Sequence, residues 1–380
     1  MIELSGEERY RRYAALRKAS PCHWDEDRRR WLLTRYSDVY GVLKDHEAFS
    51  SARTISVAQQ DGAGSASILM SDDPPRHTKI RSIVARSFTT KSLESLRPWI
   101  EDTTHALLYS IKSGSIEVIG AFAEPLSVMT IACLLGLDTK QWKTLKRWSS
   151  AILGCNDPRE KQARLRDAVT AHKYFSREIQ RRKRYPLNDL ISRIIQCDDG
   201  HPALSPVEAQ AYCVLLLVAG NETTISLLGN ALNVLCEQPS IWQQLREGRI
   251  PTSSVIDETL RFDSPVQIIR RVVKKTIRVN DSLFQAGETI EACLGAANRD
   301  PAEFACPDVF DPTRDLRRHL AFGHGIHYCL GASLARMLAE VALTQCFERF
   351  VRITRVSSGA RTKADTLSAF ASLPIFASEN

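Results

Sequence analysis

Residues 322–331, Phe-Gly-His-Gly-Ile-His-Tyr-Cys-Leu-Gly, place one cysteine among glycines directly before a strongly helical segment, 330 to about 347. The first turn of a helix offers unpaired N–H groups and the positive end of the helix dipole, and both stabilise a thiolate. Because glycine has no Cβ, the backbone can adopt unusual conformations here and a flat ligand can lie against it. The stretch therefore predicts a loop that presents the Cys329 thiolate to a bound ligand.

The ligand that best suits this loop is haem, whose iron accepts an axial cysteine that pushes electron density toward bound oxygen. A lone cysteine is otherwise most often a small buried hydrophobic residue. The order Phe-Gly-x-Gly-x-His-x-Cys-x-Gly, however, resembles the haem-binding loop of the cytochrome P450 family, the haem-thiolate monooxygenases. The resemblance implies haem b with Cys329 as the axial iron ligand, and Phe322, Gly323, His327 and Gly331 as further cofactor contacts.

Length and composition are those of an ordinary globular protein. The chain has 380 residues, 43% hydrophobic and 25% charged, which is enough apolar material for a large core. The N-terminus lacks the pattern of a signal peptide, and no apolar run approaches the ~20 residues of a membrane span. Ten cysteines without paired spacing fit a reducing compartment. We therefore expect a cytoplasmic protein without a membrane anchor.

The balance of charge indicates which partners to expect. A formal net charge of +7 is most often a solvated surface, but it also suits docking of an acidic partner. Basic residues occur near the cysteine loop, at Arg314, Arg317, Arg318, His319 and His324. An acidic electron carrier is the expected partner there. No zinc finger, RNA-binding aromatic signature or dense basic arm predicts binding to nucleic acid.

Strand-like segments are few, and the rest of the chain has mainly helical patterns. The strand-like segments are a hairpin over about 23–33 and strands over 272–279, 289–294, 351–355 and 373–376. No repeat, low-complexity linker or charge block separates domains. The sequence therefore predicts a mainly α fold with a small β region. It also predicts a single catalytic domain, 1–380, without a fused reductase or ferredoxin domain.

A long central helix is predicted from the capping box at 205–208, which has proline at the first helical position, to about Gln238. Its apolar middle is interrupted by the polar run 219–224, Ala-Gly-Asn-Glu-Thr-Thr. This run can be a simple kink, because glycine and threonine both loosen a helix. Alternatively, a hydroxyl beside a carboxylate is what delivery of protons into a dry pocket requires.

The run Ala-Gly-x-Glu-Thr-Thr resembles the acid–alcohol motif in the long central helix of the P450 family. By that resemblance Thr223 hydrogen-bonds bound oxygen, and Glu222 relays protons through water. Ala219 and Gly220 are then cofactor contacts. The implied architecture is the triangular, haem-binding P450 fold built around this helix.

The pair Glu258 and Arg261 lies three residues apart, on one face of a helix. Most such pairs are surface ion pairs of little energetic weight. Its position before the cysteine loop resembles the structural Glu-x-x-Arg motif of the family, which braces that loop. The family often adds an arginine or histidine where this chain has Val309. Arg314 and Arg299 are the two candidates to replace it.

Binding of haem requires cations or hydrogen-bond donors for its two propionates. His77 and Arg81 share a helical face by their spacing. They resemble the propionate-binding residues of the family, and the same resemblance assigns Arg271 and His327 to propionate contacts. Arg270, next to Arg271, leaves that assignment ambiguous by one residue.

Substrate contacts follow from the resemblance only as segments. The loop 54–70 is expected to roof the pocket, and its Gly62-Ala-Gly-Ser-Ala-Ser stretch predicts mobility. Segments 216–220, 266–269 and 369–373 are expected to line the rest. The individual candidates are Leu216, Val266, Ile268, Ile269 and Phe370. Their apolar character predicts a hydrophobic small-molecule substrate.

Together the motifs predict a monooxygenase that hydroxylates or epoxidises a hydrophobic molecule, such as a secondary metabolite. The resemblance implies that NAD(P)H is used indirectly, through a separate ferredoxin and ferredoxin reductase. We also expect the protein to be a monomer. A peroxide-using enzyme, or one catalysing oxidative coupling or desaturation on the same fold, is the alternative. A non-catalytic haem sensor is a further alternative, but it needs no acid–alcohol pair.

Overall fold

A computed structural model describes residues 6–52, 68–153, 161–196, 203–280, 282–316 and 318–379. Packing divides the chain into two compact units. The larger unit comprises Met1–Thr54, Thr104–Ala123 and Thr223–Asn380, and the smaller unit comprises Ile55–Thr103 and Glu124–Glu222.

Helices dominate the described residues. They are α1 Gly6–Ala19, α2 Tyr36–Lys44, α3 Arg76–Ala85, α4 Thr90–Glu94, α5 Arg97–Ser110, α6 Glu124–Leu135, α7 Trp142–Leu153, α8 Lys161–Arg184, α9 Leu190–Ile195, α10 Pro206–Ala219, α11 Glu222–Glu237, α12 Pro239–Arg246, α13 Thr252–Phe262, α14 Leu294–Ala297 and α15 Ala332–Arg349. A π-helical turn, Ile119–Ala123, leads into α6. The prediction of a mainly α fold with little sheet is confirmed.

The strands are short and antiparallel for the most part. They are β1 Cys22–Asp25, β2 Arg30–Leu33, β3 Phe49–Ser50, β4 Gly114–Glu117, β5 Ile268–Val273, β6 Ile277–Val279, β7 Ser282–Phe284, β8 Thr289–Cys293, β9 Arg352–Arg355, β10 Ala360–Arg361, β11 Phe370–Ser372 and β12 Pro374–Ser378. Among the described residues, the largest sheet has the order β1-β2-β8-β5-β3, with the β2–β8 pair parallel. A second sheet has the order β4-β12-β9.

The strand predictions were right about location and less accurate about bounds. The predicted 23–33 hairpin is the β1–β2 pair, with Trp24 opposite Trp31. The predicted single strand 272–279 is wrong, because the polar residues at 274–276 are exposed and separate β5 from β6. Strand β4 has the sequence Gly-Ser-Ile-Glu, which carries almost no strand signal, and the sequence reasoning missed it.

The core of the larger unit supports the cysteine loop through helix α2. The apolar face of α2, with Val39, Val42 and Leu43, packs in one cluster with Ile290 of β8 and Phe304. These residues recur every three or four positions along α2, as expected for a helix with one buried face. The end of α2 thereby becomes a fixed surface on which the cysteine loop rests.

In the smaller unit, α8 packs against α7 and α10. Its buried residues Ala171, Phe175, Ile179 and Arg182 follow helical spacing and form one face. The buried Arg182 side chain bonds Asp189 at 2.7 Å and the Gly136 carbonyl at 2.5 Å. These contacts hold α8 firmly in place and leave its opposite face in solvent.

One described segment, Pro206–Glu237, is long and apolar enough to cross a membrane by length and hydropathy. Within its most apolar window, however, 61% is buried inside the protein. A core helix gives the same signal, and the burial favours that interpretation.

Candidate haem site

The cysteine loop is held in a tight backbone arrangement. The Cys329 N–H donates to the Phe322 carbonyl at 2.9 Å, closing the loop on itself. Gly323 and Gly325 both have φ of +72°, in the left-handed region that glycine adopts without strain. A Cβ at Gly325 would lie 2.5 Å from the Leu43 carbonyl oxygen at the end of α2. Glycine is therefore required at Gly325 by both conformation and space.

Cys329 lies three residues before α15, which begins at Ala332. The Ala332 N–H donates to the Cys329 carbonyl at 3.4 Å, and Cys329 itself is exposed. Other cysteines differ from it: burial raises the pKa of the Cys213 and Cys293 thiols well above the ordinary value, and raises that of Cys133 to about 11. Cys329 alone among these combines access with a helix N-terminus, which favours a thiolate ligand.

Glu258 and Arg261 form a fully buried ion pair within α13. Arg261 Nε donates to Glu258 Oε2 and Arg261 Nη2 donates to Glu258 Oε1, both at 2.7 Å. Both side chains are 0% exposed. The pair is therefore a two-pronged contact in a dry environment and not the surface decoration that its spacing alone suggests.

The third member of this cluster is Arg314. Its Nε donates to Glu258 Oε1 at 3.2 Å. Arg299, the other candidate, instead lies over the Phe262 ring at 3.7 Å and pairs with Asp308. At Val309 the backbone carbonyl accepts from both Arg261 and Arg314, at 3.2 and 3.1 Å. Arg314 therefore supplies the arginine that was expected at Val309, from a position five residues further along the chain.

The cluster fixes the segment that leads into the cysteine loop. Arg261 Nη1 donates to the carbonyls of Asn298 and Pro307, at 2.9 and 2.8 Å. Asn298, which is fully buried, accepts the Leu320 N–H at 2.6 Å two residues before the loop begins. The sequence reasoning missed Asn298, because a single asparagine after a four-residue helix carries no recognisable signal.

Arg336 of α15 is a second brace that the sequence reasoning missed. Its Nε donates to Asp257 at 2.8 Å, and its guanidinium lies 4.6 Å from the centre of the Phe322 ring. Burial alone lowers the pKa of Arg336, but hydrogen bonds with Tyr328 and Asp257 outweigh it and raise that pKa. Arg336 therefore ties both ends of the cysteine loop to its helix.

The basic cluster expected beside Cys329 is less available than the sequence indicates. Arg314 is engaged by Glu258, and the His319 side chain is 4% exposed next to Asp257. Arg318 is exposed but pairs with Glu303 at 2.8 Å. Burial and the nearby Lys44 lower the pKa of His324, which favours its neutral form. The remaining member of the cluster, Arg317, lies outside the described residues.

Among the cations predicted for the propionates, Arg271 and His327 lie in the larger unit. Arg271 is 5% exposed and donates to the Arg270 carbonyl at 2.8 Å. Arg270, on the other face of β5, pairs with Glu291 at 2.9 Å. Since Arg270 is already committed to a carboxylate, the geometry favours Arg271 as the propionate contact. His327 lies half-buried in the 3₁₀ turn Gly325–His327.

His77 and Arg81 lie on α3 of the smaller unit, four residues apart as predicted. His77 is 2% exposed, whereas Arg81 is half-buried. The neighbouring Arg76 is held by Asp72 at 2.5 Å, so it is not an equivalent alternative. A buried imidazole and a half-buried guanidinium are a donor set that fits a carboxylate.

The predicted central helix is broken where the polar run begins. Helix α10 ends at Ala219, Gly220 caps it, and α11 begins at Glu222. The Ser127 hydroxyl lies 3.3 Å from the Gly220 carbonyl and 3.2 Å from that of Asn221. A Cβ at Gly220 would lie 2.4 Å from Ile131 Cδ1. Helix α6 therefore supports the break by a hydrogen bond and by close approach.

Glu222 projects into a small charged cluster. Lys146 Nζ lies 2.5 Å from Glu222 Oε1 and 3.6 Å from Glu124 Oε1. All three side chains are between 17% and 29% exposed. One lysine thus holds two partly exposed carboxylates, which gives the carboxylate of Glu222 a fixed position with access to water.

Asn221 is fully buried beside this cluster, and within the described part of the chain neither its amide oxygen nor its amide nitrogen has a hydrogen-bond partner. An unsatisfied buried amide is costly, and such groups are usually satisfied by an ordered water. The sequence reasoning treated Asn221 as a variable position. Thr223, next to Glu222, is half-buried.

The predicted substrate contacts fall into different environments. Ile268 packs in the cluster of Tyr10, Tyr13 and Leu32, whereas Ile269, on the opposite face of β5, is only half-buried. The structure therefore favours Ile269 over Ile268 for contact with substrate. Leu216 and Val266 are half-buried and Phe370 is 4% exposed. The predicted roof loop, 54–70, lies outside the described residues except at 68–70.

The geometry of the donor set fits haem. In the larger unit, an exposed cysteine just before a helix fits an axial thiolate, and the buried Arg271 with the half-buried His327 fits a propionate. None of the described residues lies within 4 Å of a Cβ built at Gly331, and such open space suits a flat ligand lying on the backbone. In the smaller unit, the buried His77 with Arg81 separately fits a carboxylate.

Comparison with known proteins agrees with this interpretation. A family model described as Cytochrome P450 matches residues 251–371. The chain is 34% identical over 355 residues to the putative cytochrome P450 YjiB of Bacillus subtilis (strain 168), covering 91% of this chain and 88% of that protein. It is 36% identical over 346 residues to the cyclomarin C epoxidase CymV of Salinispora arenicola (strain CNS-205), covering 89% and 88%.

Solved structures show the same likeness across the fold. Substrate-free CYP109E1 from Bacillus megaterium superimposes with a TM-score of 0.91 at 31% identity, covering 98% of this chain and 99% of that chain. P450BioI in complex with an acyl carrier protein ligated to hexadec-9Z-enoic acid gives a TM-score of 0.90 at 31% identity, covering 98% of both chains.

The chain therefore belongs to the cytochrome P450 family. It is a haem-dependent oxidoreductase of the monooxygenase class.

Proposed function

We propose that the chain is a haem b monooxygenase with Cys329 as the axial ligand, acting on a hydrophobic small molecule. The observation that supports the ligand most strongly is the exposed residue Cys329 just before α15, in a loop closed by the Cys329–Phe322 hydrogen bond. The brace formed by Glu258, Arg261 and Arg314 acts on this loop indirectly, by holding the segment that leads into it.

Haem, when bound, supplies oxygen activation and oxygen transfer. The protein's part is to deliver protons without admitting bulk water. In our proposal Glu222 takes protons from solvent at its partly exposed carboxylate and passes them on through water. Thr223, the next residue, would donate the last hydrogen bond of this proton route, to the oxygen substrate. Lys146 keeps the Glu222 carboxylate at the mouth of this route, and Asn221 holds water beside it.

The break at Gly220 serves the same route. An uninterrupted helix would bond its carbonyls internally, whereas a break frees them to bind water. Ser127 lies within hydrogen-bond distance of two of these carbonyls and thereby keeps the break in one conformation. In the proposal Ala219, with only a methyl side chain, and the backbone of Gly220 leave room for the cofactor and for oxygen, whereas the side of Gly220 that a Cβ would occupy faces Ile131.

The propionates are assigned to His77 and Arg81 on α3 and to Arg271 and His327 in the larger unit. Phe322, Gly323 and Gly331 complete the contacts in the cysteine loop. Two buried propionates need several such donors, because each carboxylate left unpaired would cost several kcal/mol. Leu216, Val266, Ile269 and Phe370 remain the proposed substrate contacts.

Electrons reach the haem, in this proposal, from NAD(P)H through a separate ferredoxin reductase and ferredoxin. The proposal takes residues 1–380 as one catalytic domain acting as a cytoplasmic monomer.

The substrate class is proposed from the relatives. One is named as an epoxidase of cyclomarin C, and one solved structure holds a fatty acyl chain on a carrier protein. We propose a secondary metabolite or its acyl precursor, presented either free or attached to a carrier protein.

Turnover with a surrogate ferredoxin and reductase tests the function. A ligand screen that follows the haem absorption band identifies candidates, and each hit is incubated with NAD(P)H under ¹⁸O₂. One ¹⁸O atom per product molecule supports the proposal. Turnover that runs on peroxide alone and does not respond to NAD(P)H would contradict it.

A further inference from the structure

Helix α8 carries an unusual share of the positive charge. Its 24 residues contain nine lysines and arginines and two acidic residues, a net charge of +7. The formal net charge of the whole chain is also +7. The rest of the protein is therefore neutral in sum, and the excess of cations is concentrated on one helix of the smaller unit.

Four of these cations form a line. Arg166, Lys173, Arg177 and Arg184 are all exposed. At about 100° per residue they fall within an arc of about 40°, and at ~1.5 Å per residue the line is about 27 Å long. We call these four residues the α8 basic stripe.

The stripe is not neutralised by its surroundings. Within the described parts of the chain none of the four takes part in an ion pair, while both acids of α8 point elsewhere. Asp167 pairs with Arg147 at 3.1 Å, and Glu178 pairs with Arg181 and the buried Arg182. Like charges one turn apart, such as Lys173 and Arg177, destabilise a helix. This arrangement is therefore costly for folding alone.

Apolar side chains border the stripe. Leu165 is 41% exposed and Val169 is 37% exposed, and both lie on the same side of the basic line. The combination of a cationic line with a narrow aliphatic margin matches a protein helix that carries carboxylates beside apolar residues. Two partly exposed aliphatic residues are too few for the broad apolar face by which a helix inserts into a membrane.

The helix beneath the stripe is a rigid platform. Its opposite face is buried through Ala171, Phe175 and Ile179, and Arg182 is fixed by Asp189. The stripe thus presents its charges in a fixed geometry. Binding of a partner therefore orders few residues of this chain and costs little conformational entropy.

We propose that the α8 basic stripe is a docking surface for an acidic carrier protein that presents the substrate covalently attached. This inference rests on the proposed function, because the carrier would deliver the substrate of that reaction. The recognition is chemical: carboxylates at helical spacing on the carrier pair with the four cations, and apolar residues between them contact Leu165 and Val169. Such a partner would keep a hydrophobic substrate soluble until it is handed to the enzyme.

The experiment measures binding, not turnover. The haem-loaded enzyme is titrated with a bacterial acyl carrier protein bearing an unacylated phosphopantetheine arm, at low and at moderate salt. In the test variant, Arg166, Lys173, Arg177 and Arg184 are changed to Gln. In the matched control, the exposed cations Lys112, Lys275, Arg278 and Lys363 are changed to Gln, for the same change in net charge.

We expect the test variant to bind the carrier about tenfold more weakly and with a smaller salt dependence, and the control to change less than twofold. Equal weakening of both variants, or no binding by the unaltered protein, overturns the proposal. The proposal is also overturned if the test variant keeps its binding to the carrier but loses binding to anionic vesicles, because that result assigns the stripe to membranes. Slower electron transfer from ferredoxin with unchanged carrier binding assigns it to the electron donor. Because no arm depends on catalysis, failure here is distinct from failure of the proposed function.

Discussion

The brace of the cysteine loop and the break in the central helix are built in opposite ways. Glu258 and Arg261 are fully buried and joined by two 2.7 Å hydrogen bonds. Glu222 and Lys146 form one 2.5 Å contact while remaining partly exposed. The first arrangement is closed to solvent, and the second holds its carboxylate in place while leaving it partly open to solvent.

This difference matches what each region has to do. A metal ligand must keep a fixed position, and packing with fully paired charges provides that. A proton donor must exchange with solvent, and a partly exposed carboxylate beside a helix break can do so. We therefore expect substitutions in the brace to lower stability and haem retention, and substitutions at the break to lower coupling with little loss of fold.

The largest effect is expected for Glu258→Ala. It leaves the buried Arg261 guanidinium without its carboxylate, which costs about 3–5 kcal/mol of unfolding free energy. Urea denaturation and the haem-to-protein ratio measure the outcome. Glu94→Ala removes an ion pair to Arg97 that has the same three-residue spacing but side chains 52% and 32% exposed, and it is the control, with an expected change below about 1 kcal/mol. Similar losses in both variants would show that the buried cluster is not special.

Gly220→Ala is expected to have an intermediate effect. The added methyl would approach Ile131 to 2.4 Å, and relief by movement of that side chain costs about 1–3 kcal/mol. The free energy of unfolding and hydrogen exchange at the α10–α11 junction report the change. Gly41→Ala is the control, because none of the described residues lies within 4 Å of a Cβ there. An unchanged junction in the Gly220 variant would contradict the close contact with α6.

Lys146→Met should act on chemistry more than on stability. Without the ammonium group the Glu222 carboxylate loses its fixed position, so product formed per NAD(P)H consumed should fall a few-fold while substrate binding stays the same. Coupling is measured from product, peroxide and NAD(P)H. Lys143→Met, three residues earlier and exposed, is the matched control. Equal coupling in both variants would show that Lys146 has no part in proton delivery.

The smallest effect concerns acid stability of the larger unit. Burial raises the pKa of Asp263, but Arg361 and Ser368 outweigh it, so its pKa lies below the ordinary value. The folded state therefore holds fewer protons than the unfolded chain. This contribution is present above an unfolded pKa of about 3.9 and is lost as pH falls further. Unfolding free energy against pH should be flatter below about pH 4 in Asp263→Asn than in Asp308→Asn, whose carboxylate is exposed.

The sequence predicted those parts of the site that depend on local spacing. The loop around Cys329, the interruption at Gly220 and the pairing of Glu258 with Arg261 are each encoded within ten residues. It could not choose between Arg314 and Arg299, because the choice depends on how the chain returns to Glu258 over 56 residues. The roles of haem contacts remain predictions.

Long-range partners were beyond the sequence for the same reason. Lys146 meets Glu222 across 76 positions, and Ser127 meets Asn221 across 94. Arg336 and Asn298 carry no motif at all. On α8, the sequence showed basic residues, but only burial of Arg182 and the pairing of Asp167 and Glu178 separated the α8 basic stripe from the rest.

The central claim is that the sulfur of Cys329 binds the haem iron, and the spectrum of the reduced protein under carbon monoxide tests it directly. The account predicts the red-shifted absorption band of a thiolate-bound haem in the unaltered protein. It predicts loss of that band in Cys329→Ser, and a histidine-type band in any Cys329→His protein that retains haem. Persistence of the thiolate band in Cys329→Ser at full haem content would contradict it.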